Sequence, residues 1–318
     1  MKNRSVVLLS GEGTTLPAAE ARALFLAYDH ESTFESPESR VLVVESSANP
    51  FEVGSRIAFA RRVGVLVPSL DDASGILGGH RVRFRCFDLL PRGDHPDPGR
   101  YLSHADATID LQNPEYELTL VRGLGDYVAV TSPERMRQSW STRRPRKRPF
   151  FHPSAIFPKL SRALVNLSRC LPGNIFLDPF AGTGSITIEA SLAGARVLAV
   201  DLSEQMVRGA ISNMKYFDQE WVGVIRADSI HLPLRRADAV ATDIPYGRAS
   251  STRGRRPGDI LHLLLPTLAT VMARDSFLVL MHPQELLVTR SADFSVEEEH
   301  YLHVHKFLTR SITILRRR

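Results

Sequence analysis

The chain has little cysteine: Cys86 and Cys170 are the two it contains in 318 residues. Two cysteines cannot build a zinc framework or a disulfide-stapled fold. That usage fits a reducing compartment, so a cytoplasmic protein is expected. The 11 histidines show no ligand spacing, so no metal is expected either. Long apolar runs are also missing. No stretch reaches the roughly 18 residues of a membrane span, and the apolar run near the start is too short for a signal peptide. Lysine is scarce as well: 5 of the 40 basic side chains are lysine and the rest arginine.

What is present is ordinary for a globular protein, with 43% apolar and 24% charged residues. The length suits two domains better than one. Charge is distributed unevenly. Residues 1–131 carry 13 basic and 18 acidic side chains, residues 132–150 carry 7 and 1, and residues 151–318 carry 20 and 16. The excess of arginine in the middle and second half suits phosphate, because the planar guanidinium fork matches it.

Two patterns divide the chain. In the first half, Val6–Leu9, Val41–Glu45, Arg81–Phe87, Glu115–Arg122 and Asp126–Thr131 read as strands, and Pro17–Tyr28 reads as a helix. Ser55–Val67 has basic residues interleaved with apolar ones at helical spacing and is expected to be helical. Residues 139–149, polar, basic and proline-containing, read as a linker. From residue 150 to 318, strand candidates (Ile175–Leu177, Arg196–Val200, Val222–Arg226, Ala239–Thr242, Phe277–Met281) alternate with helix candidates (Ser185–Leu192, Glu204–Tyr216, Ile260–Ala273). Such alternation implies a parallel, doubly wound α/β sheet. The tail, Phe294–Val304 and Phe307–Leu315, can supply two last strands.

Two motifs carry chemistry. The first, Asp178-Pro-Phe180-Ala181-Gly182-Thr183-Gly184, follows a strand candidate and precedes a helix candidate. Gly182 and Gly184 permit a tight turn and close approach of a ligand, and the helix N-terminus favours an anionic group such as a carboxylate. Asp178 can hold an ammonium group. Asp201, with Leu202, ends the next strand, where a carboxylate can accept ribose hydroxyls. Asp228 and Ser229 end the third and can serve an adenine ring. Strand-end aspartates are also common helix caps. A dinucleotide would call for a third glycine, and Ile186 and Thr187 stand where it is expected.

The second motif is Asp243-Ile244-Pro245-Tyr246, which ends the fourth strand. An aromatic exocyclic amine is a poor nucleophile, since its lone pair is delocalised into the ring. Asp243 and the Ile244 carbonyl can each accept one of its N–H groups, Pro245 can stiffen the turn, and Tyr246 can stack on the ring. Turn chemistry is the plainer reading of this motif taken alone. The two motifs together point to S-adenosylmethionine as cofactor and to methylation of a planar amine.

These residues resemble the THUMP-containing tRNA guanine-N2 methyltransferases. The resemblance covers most of residues 140–318, through Arg148–Ile156, Leu160–Asn166, Asp178–Ala190, Asp243–Gly247 and His305–Arg310. It implies a Rossmann-like class I methyltransferase domain with a seven-stranded, mostly parallel sheet over residues 150–318. It also implies a ferredoxin-like plus THUMP RNA-binding region over residues 1–138. The implied partner is tRNA, with no membrane, and a monomer is expected. Arg61, Arg62 and Arg83, the linker residues Arg143, Arg144, Arg146, Lys147 and Arg148, and Arg248 are the candidate RNA contacts, though a charged solvated face would look the same. The family motif has two prolines where this chain has Ile244-Pro245, so a less rigid turn is expected. Two other functions stay open at this point: methylation of an adenine or glutamine amine, and RNA binding without catalysis.

Overall fold

A computed structural model describes residues 2–12, 15–103, 106–133, 140–219, 221–245, 254–286, 288, 291–305 and 308–318. The chain divides into two compact units, Met1–Gln138 and Ser139–Arg318.

The first unit is one eight-stranded mixed sheet. Its first half runs β1 (Asn3–Leu9), α1 (Leu16–Tyr28), β2 (Thr33–Glu38), β3 (Val41–Ser46), α2 (Pro50–Arg56) and β4 (Ala60–Leu66). The strand order β2-β3-β1-β4 is that of the ferredoxin-like split βαβ unit. The second half adds α3 (Leu70–Leu77), β5 (Arg81–Asp88), α4 (Pro98–Leu102), β6 (Thr108–Ile109), β7 (Tyr116–Arg122) and β8 (Asp126–Thr131), extending the order as β8-β7-β5-β6. Leu24, Phe25 and Val53 from α1 and α2 pack on Val7, Leu42 and Val44. Ala73, Leu77 and Leu102 pack on Val82, Leu118 and Val130.

The helix expected over residues 55–67 is absent. α2 stops at Arg56 and the chain turns into β4, which pairs with β1 on one side and β8 on the other. Gly64 allows this close approach, since a Cβ there would collide with the Val130 carbonyl. Its alternate positions hold Ala60, a buried Arg62 and Gly64, so the apolar alternation that marks a half-exposed strand is missing.

The second unit begins with α5 (Pro158–Leu167) and continues β9 (Ile175–Asp178), α6 (Ser185–Leu192), β10 (Arg196–Asp201), α7 (Glu204–Tyr216), β11 (Gly223–Arg226), β12 (Ala237–Asp243), α8 (Pro257–Val271), β13 (Met272–Pro283), β14 (Phe294–His305) and β15 (Leu308–Arg317). The sheet order is β11-β10-β9-β12-β13-β15-β14. The first five are parallel, and β15 inserts antiparallel between β13 and β14. This is the seven-stranded Rossmann-like sheet expected. Its order reverses between β9 and β12, and ligands of open α/β sheets bind at such a switch point, beyond the carboxyl ends of the strands. Leu261, Leu264, Leu265 and Leu268 of α8 close one face over Leu177, Leu198, Val240 and Leu278.

The basic segment before α5 is folded onto this unit. Arg143 donates to Glu189 of α6 at 2.7 Å, and Arg148 donates to Ser185 Oγ at 2.7 Å and to the Arg143 carbonyl at 2.9 Å. Among the described residues no helix is long and apolar enough to cross a membrane.

Candidate active site

A cavity of about 410 Å³ lies at the carboxyl ends of β9, β10 and β12. That is within the size range of sites for small ligands. Its lining includes nine of the ten expected cofactor residues: Asp178, Phe180, Ala181, Gly182, Thr183, Asp201, Leu202, Asp228 and Ser229. The tenth, Gly184, turns the chain into α6 at φ 80° and packs against Ala210. Gly182 has φ 52°, with no atom within 4 Å of where a Cβ would stand, so this loop leaves room for a ligand.

Loop and strands are tied together by the acids. Asp178 Oδ1 accepts from the Phe180 N–H at 3.1 Å and from Thr242 Oγ1 at 2.7 Å. The second bond joins the end of β9 to β12, next to the Asp243 turn. Asp201 accepts from the Gly182 N–H at 2.9 Å and the Ser203 N–H at 2.8 Å. Burial pushes Asp178 up to about 7, with Asp201 and Asp243 adding repulsion. Asp201 is raised too, chiefly by burial. Asp178 and Asp201, both raised by burial, favour a ligand that brings positive charge. These features fit S-adenosylmethionine, which carries an ammonium group, a sulfonium centre, ribose hydroxyls and an adenine amine.

Asp243, Ile244 and Pro245 line the same cavity, so the two motifs form one site. Tyr246 and Arg248 lie outside the described residues. Arg310 of β15 donates to Asp243 Oδ2 at 3.0 Å, with both side chains recessed at 15% and 18% exposure. Oδ1 of Asp243 is buried without a hydrogen-bond partner among the described residues. Burial pushes Asp243 up to about 7, against the pull of Arg310 toward the charged form. A leftover buried acceptor of this kind is costly unless a ligand satisfies it.

Ile244 does not loosen the turn. Its N–H donates to the Met281 carbonyl at 2.9 Å, a bond proline cannot make, and its side chain is buried in the core under α8. The expected loss of rigidity is therefore offset by a hydrogen bond and by packing.

Several lining residues were not anticipated as site residues: Pro153–Ile156, Met206 and Arg310. Arg255 pairs with Asp228 at 3.1 Å, so the acid expected at the adenine end has a cation beside it. Asn213 of α7 holds the lead-in segment to the cofactor loop, since its Nδ2 donates to the Phe150 carbonyl at 3.0 Å and the Thr183 carbonyl at 2.9 Å.

Three of the expected RNA contacts lie buried. Arg62, Arg143 and Arg148 are 5%, 5% and 6% exposed. Arg62 meets Glu117 at 2.7 Å and Arg143 meets Glu189, so both are internal ion pairs. Burial lowers Arg148 to about 10, its guanidinium being held by Ser185. Arg83 is largely occupied by Glu117. Arg61, Arg144, Arg146 and Lys147 are exposed.

Comparison with known proteins decides the family. The chain is 31% identical to the tRNA (guanine(10)-N2)-dimethyltransferase of Methanothermobacter thermautotrophicus over 98% of its own length and 99% of the relative's. The chain belongs to the tRNA (guanine(10)-N2)-dimethyltransferase family. A second member of that family, from Methanocaldococcus jannaschii, is 26% identical, with 98% and 99% of the two chains covered. A model of RMKL-like methyltransferase domains matches residues 145–311. In fold, the crystal structure of TrmN from Thermus thermophilus covers 99% of this chain and 100% of its own, with a TM-score of 0.53 at 18% identity. For this member of the dimethyltransferase family, that likeness supports the two-part architecture: a THUMP-like region followed by a Rossmann-like sheet.

Proposed function

We propose that the protein transfers methyl groups from S-adenosylmethionine to the exocyclic N2 amine of guanosine 10 in tRNA, first once and then again. The observation that carries this reading is Asp243. One oxygen is engaged by Arg310, and the other is a buried acceptor without a hydrogen-bond partner among the described residues, beside a loop suited to the cofactor.

The cofactor supplies an electrophilic methyl group. The chain's residues do the rest. Asp243 Oδ1 accepts one N2–H and the Ile244 carbonyl the other, which fixes the amine and localises its lone pair. The Ile244 N–H bond to the Met281 carbonyl anchors the preceding Asp243–Ile244 peptide, from which that carbonyl projects one residue on. As the nitrogen develops positive charge, Asp243 stabilises it and can take the proton. After one transfer a single N2–H remains, and Asp243 Oδ1 alone can hold it for the second. Asp178 and Asp201 hold the cofactor's ammonium group and ribose. The protein is proposed to act in the cytoplasm as a monomer.

A degenerate turn would have favoured RNA binding without catalysis. The anchored Ile244 removes the one feature that supported it. The test is incubation of an unmodified tRNA transcript with labelled S-adenosylmethionine, followed by nucleoside mass spectrometry. N2,N2-dimethylguanosine mapping to position 10 is the expected product. Methyladenosine, or no methylated nucleoside at all, would sink the reading.

A further inference from the structure

The segment that leads into α5 has two faces. Arg143, Arg148 and Phe150 point inward: the arginines are held by Glu189 and Ser185, and the Phe150 ring lies against Gly209, where a Cβ would collide with it. The Phe150 N–H also donates to Asn213 Oδ1 at 2.9 Å. Other residues of the segment point outward. Arg144, Arg146 and Lys147 are exposed around the 3-10 turn Pro145–Lys147. Phe151 is 44% exposed and Phe157 is 63% exposed. The Arg146 guanidinium lies 5.6 Å from the centroid of the Phe151 ring. The stretch between the two phenylalanines, His152–Ile156, lines the methyl-transfer cavity.

Thus a pinned strip brings three cations and two exposed aromatic rings, one with the Arg146 guanidinium near its face, to the flanks of a cavity-lining segment. Exposed phenylalanines on a soluble surface call for a partner with flat apolar faces, and the cations call for one with regular negative charge. A nucleic acid strand with unstacked bases has both. The target amine must reach Asp243, which is recessed, so its base has to leave the stack and its neighbours lose a stacking partner.

We infer that Phe151 and Phe157 form a stacking rim for the unstacked nucleotides that flank the methylated guanosine, with Arg144, Arg146 and Lys147 holding the adjoining phosphates. This rests on the proposed methylation of RNA and names the surface that presents the RNA to the site. Phe151 and Phe157 bind by their faces and so should show little sequence preference. Specificity for the guanine stays with the Asp243 turn.

Two variants of the full-length protein test it. Phe151→Leu/Phe157→Leu keeps apolar surface but removes the rings. Arg144→Gln/Arg146→Gln/Lys147→Gln removes the charges. Both act on exposed side chains, and the dissociation constant for S-adenosylmethionine, expected to be unchanged, reports that the fold is intact. The aromatic variant should weaken binding of an unmodified tRNA transcript about 10-fold. It should also reduce the fluorescence change of 2-aminopurine placed next to the target guanosine. The charge variant should lower the slope of log affinity against log salt by about 2. Unchanged tRNA affinity and 2-aminopurine signal in the aromatic variant, with wild-type methylation intact, would overturn the rim. If the wild type forms no methylguanosine while both variants still weaken tRNA binding, the methylation reading fails and the rim stands.

Discussion

Arg310 and Asp243, 67 residues apart in sequence, meet at 3.0 Å across the top of the second sheet. One oxygen is fixed by the guanidinium, and the other has no hydrogen-bond partner among the described residues, the arrangement on which the proposed grip on an amine rests. β15 can deliver Arg310 because it runs antiparallel beside β13, which in turn pairs with β12. The late β-hairpin therefore serves the site as well as completing the sheet.

Removing the guanidinium should move the acid's pKa. Arg310 favours the charged form of Asp243 by charge and by hydrogen bonding. Its loss raises the pKa, so less Asp243 is ionised at neutral pH. Arg310→Met should lower kcat by roughly 10- to 100-fold and shift the acid limb of its pH profile upward, with cofactor affinity unchanged. Arg310→Lys should restore the limb in part, since it returns the charge but not the fork. An unshifted pH profile in Arg310→Met would show that the pair is only structural.

Two acids share the same pH window. Asp178 and Asp243 are each pushed up to about 7 from 3.8. In the proposed mechanism both are needed ionised, one for the cofactor's ammonium group and one for the amine. Log kcat/KM should therefore rise with pH below about 7 with a slope above one and level off above it. With cofactor saturating, the ammonium group holds Asp178 ionised, and the slope should fall to one. A profile flat from pH 5.5 to 8 would contradict these assignments.

The same shift has a stability consequence for the ligand-free protein. A carboxyl whose folded pKa exceeds its unfolded value binds its proton more tightly when folded. Below pH 3.8 both states are protonated, and the group is neutral to stability. As pH rises to about 7 the unfolded state ionises first, and stability drains away. Asp178→Asn cannot ionise and should keep the bond from Thr242. Its melting temperature should exceed the wild type's above pH 7, with the gap closing toward pH 4. A gap independent of pH would mean Asp178 is not buried as a strained acid.

The cofactor loop was legible in the sequence because its signal is local. Glycines and a strand-end aspartate lie within seven residues, and the β–α alternation around them predicts the sheet. The Asp243 turn was legible for the same reason. What escaped was everything decided by a distant partner. Arg143 reads as an RNA contact in a linker until Glu189, 46 residues on, presents a buried carboxylate. Arg62 reads as a phosphate contact until Glu117 arrives 55 residues later. Arginines near the surface and arginines in internal pairs have the same local pattern, so charge counting could not separate Arg144 from Arg143. β4 escaped because Arg62, buried against Glu117, and Gly64 stand at alternate positions where apolar side chains would mark a strand.

Gly182 offers a direct test of the cofactor loop. At φ 52° an alanine would cost about 1–2 kcal/mol in backbone strain. Its methyl group would also enter space that lies open beside the cavity lining. Gly182→Ala should raise the KM for S-adenosylmethionine at least 10-fold while tRNA affinity stays within twofold. Parallel losses of both affinities would point to general misfolding instead.

Glu117 makes a corresponding claim on the first unit. It is fully buried and gathers Arg62 at 2.7 Å, Arg83 at 3.1 Å and Arg85 at 3.7 Å. One carboxylate thus compensates guanidinium groups on β4 and β5, two of them largely out of water. Glu117→Gln keeps the shape but strands those cations, and breaking a buried pair from one side costs on the order of 3–5 kcal/mol. Because Glu117 sits in Met1–Gln138 and the cofactor residues in Ser139–Arg318, the loss should be confined. Urea unfolding followed by amide exchange should show early opening of β4, β5 and β7 in the variant. Binding of S-adenosylmethionine should persist at wild-type affinity, while tRNA binding weakens. If the variant instead unfolds at the wild-type midpoint, the cluster is solvated and its arginines are available to RNA after all.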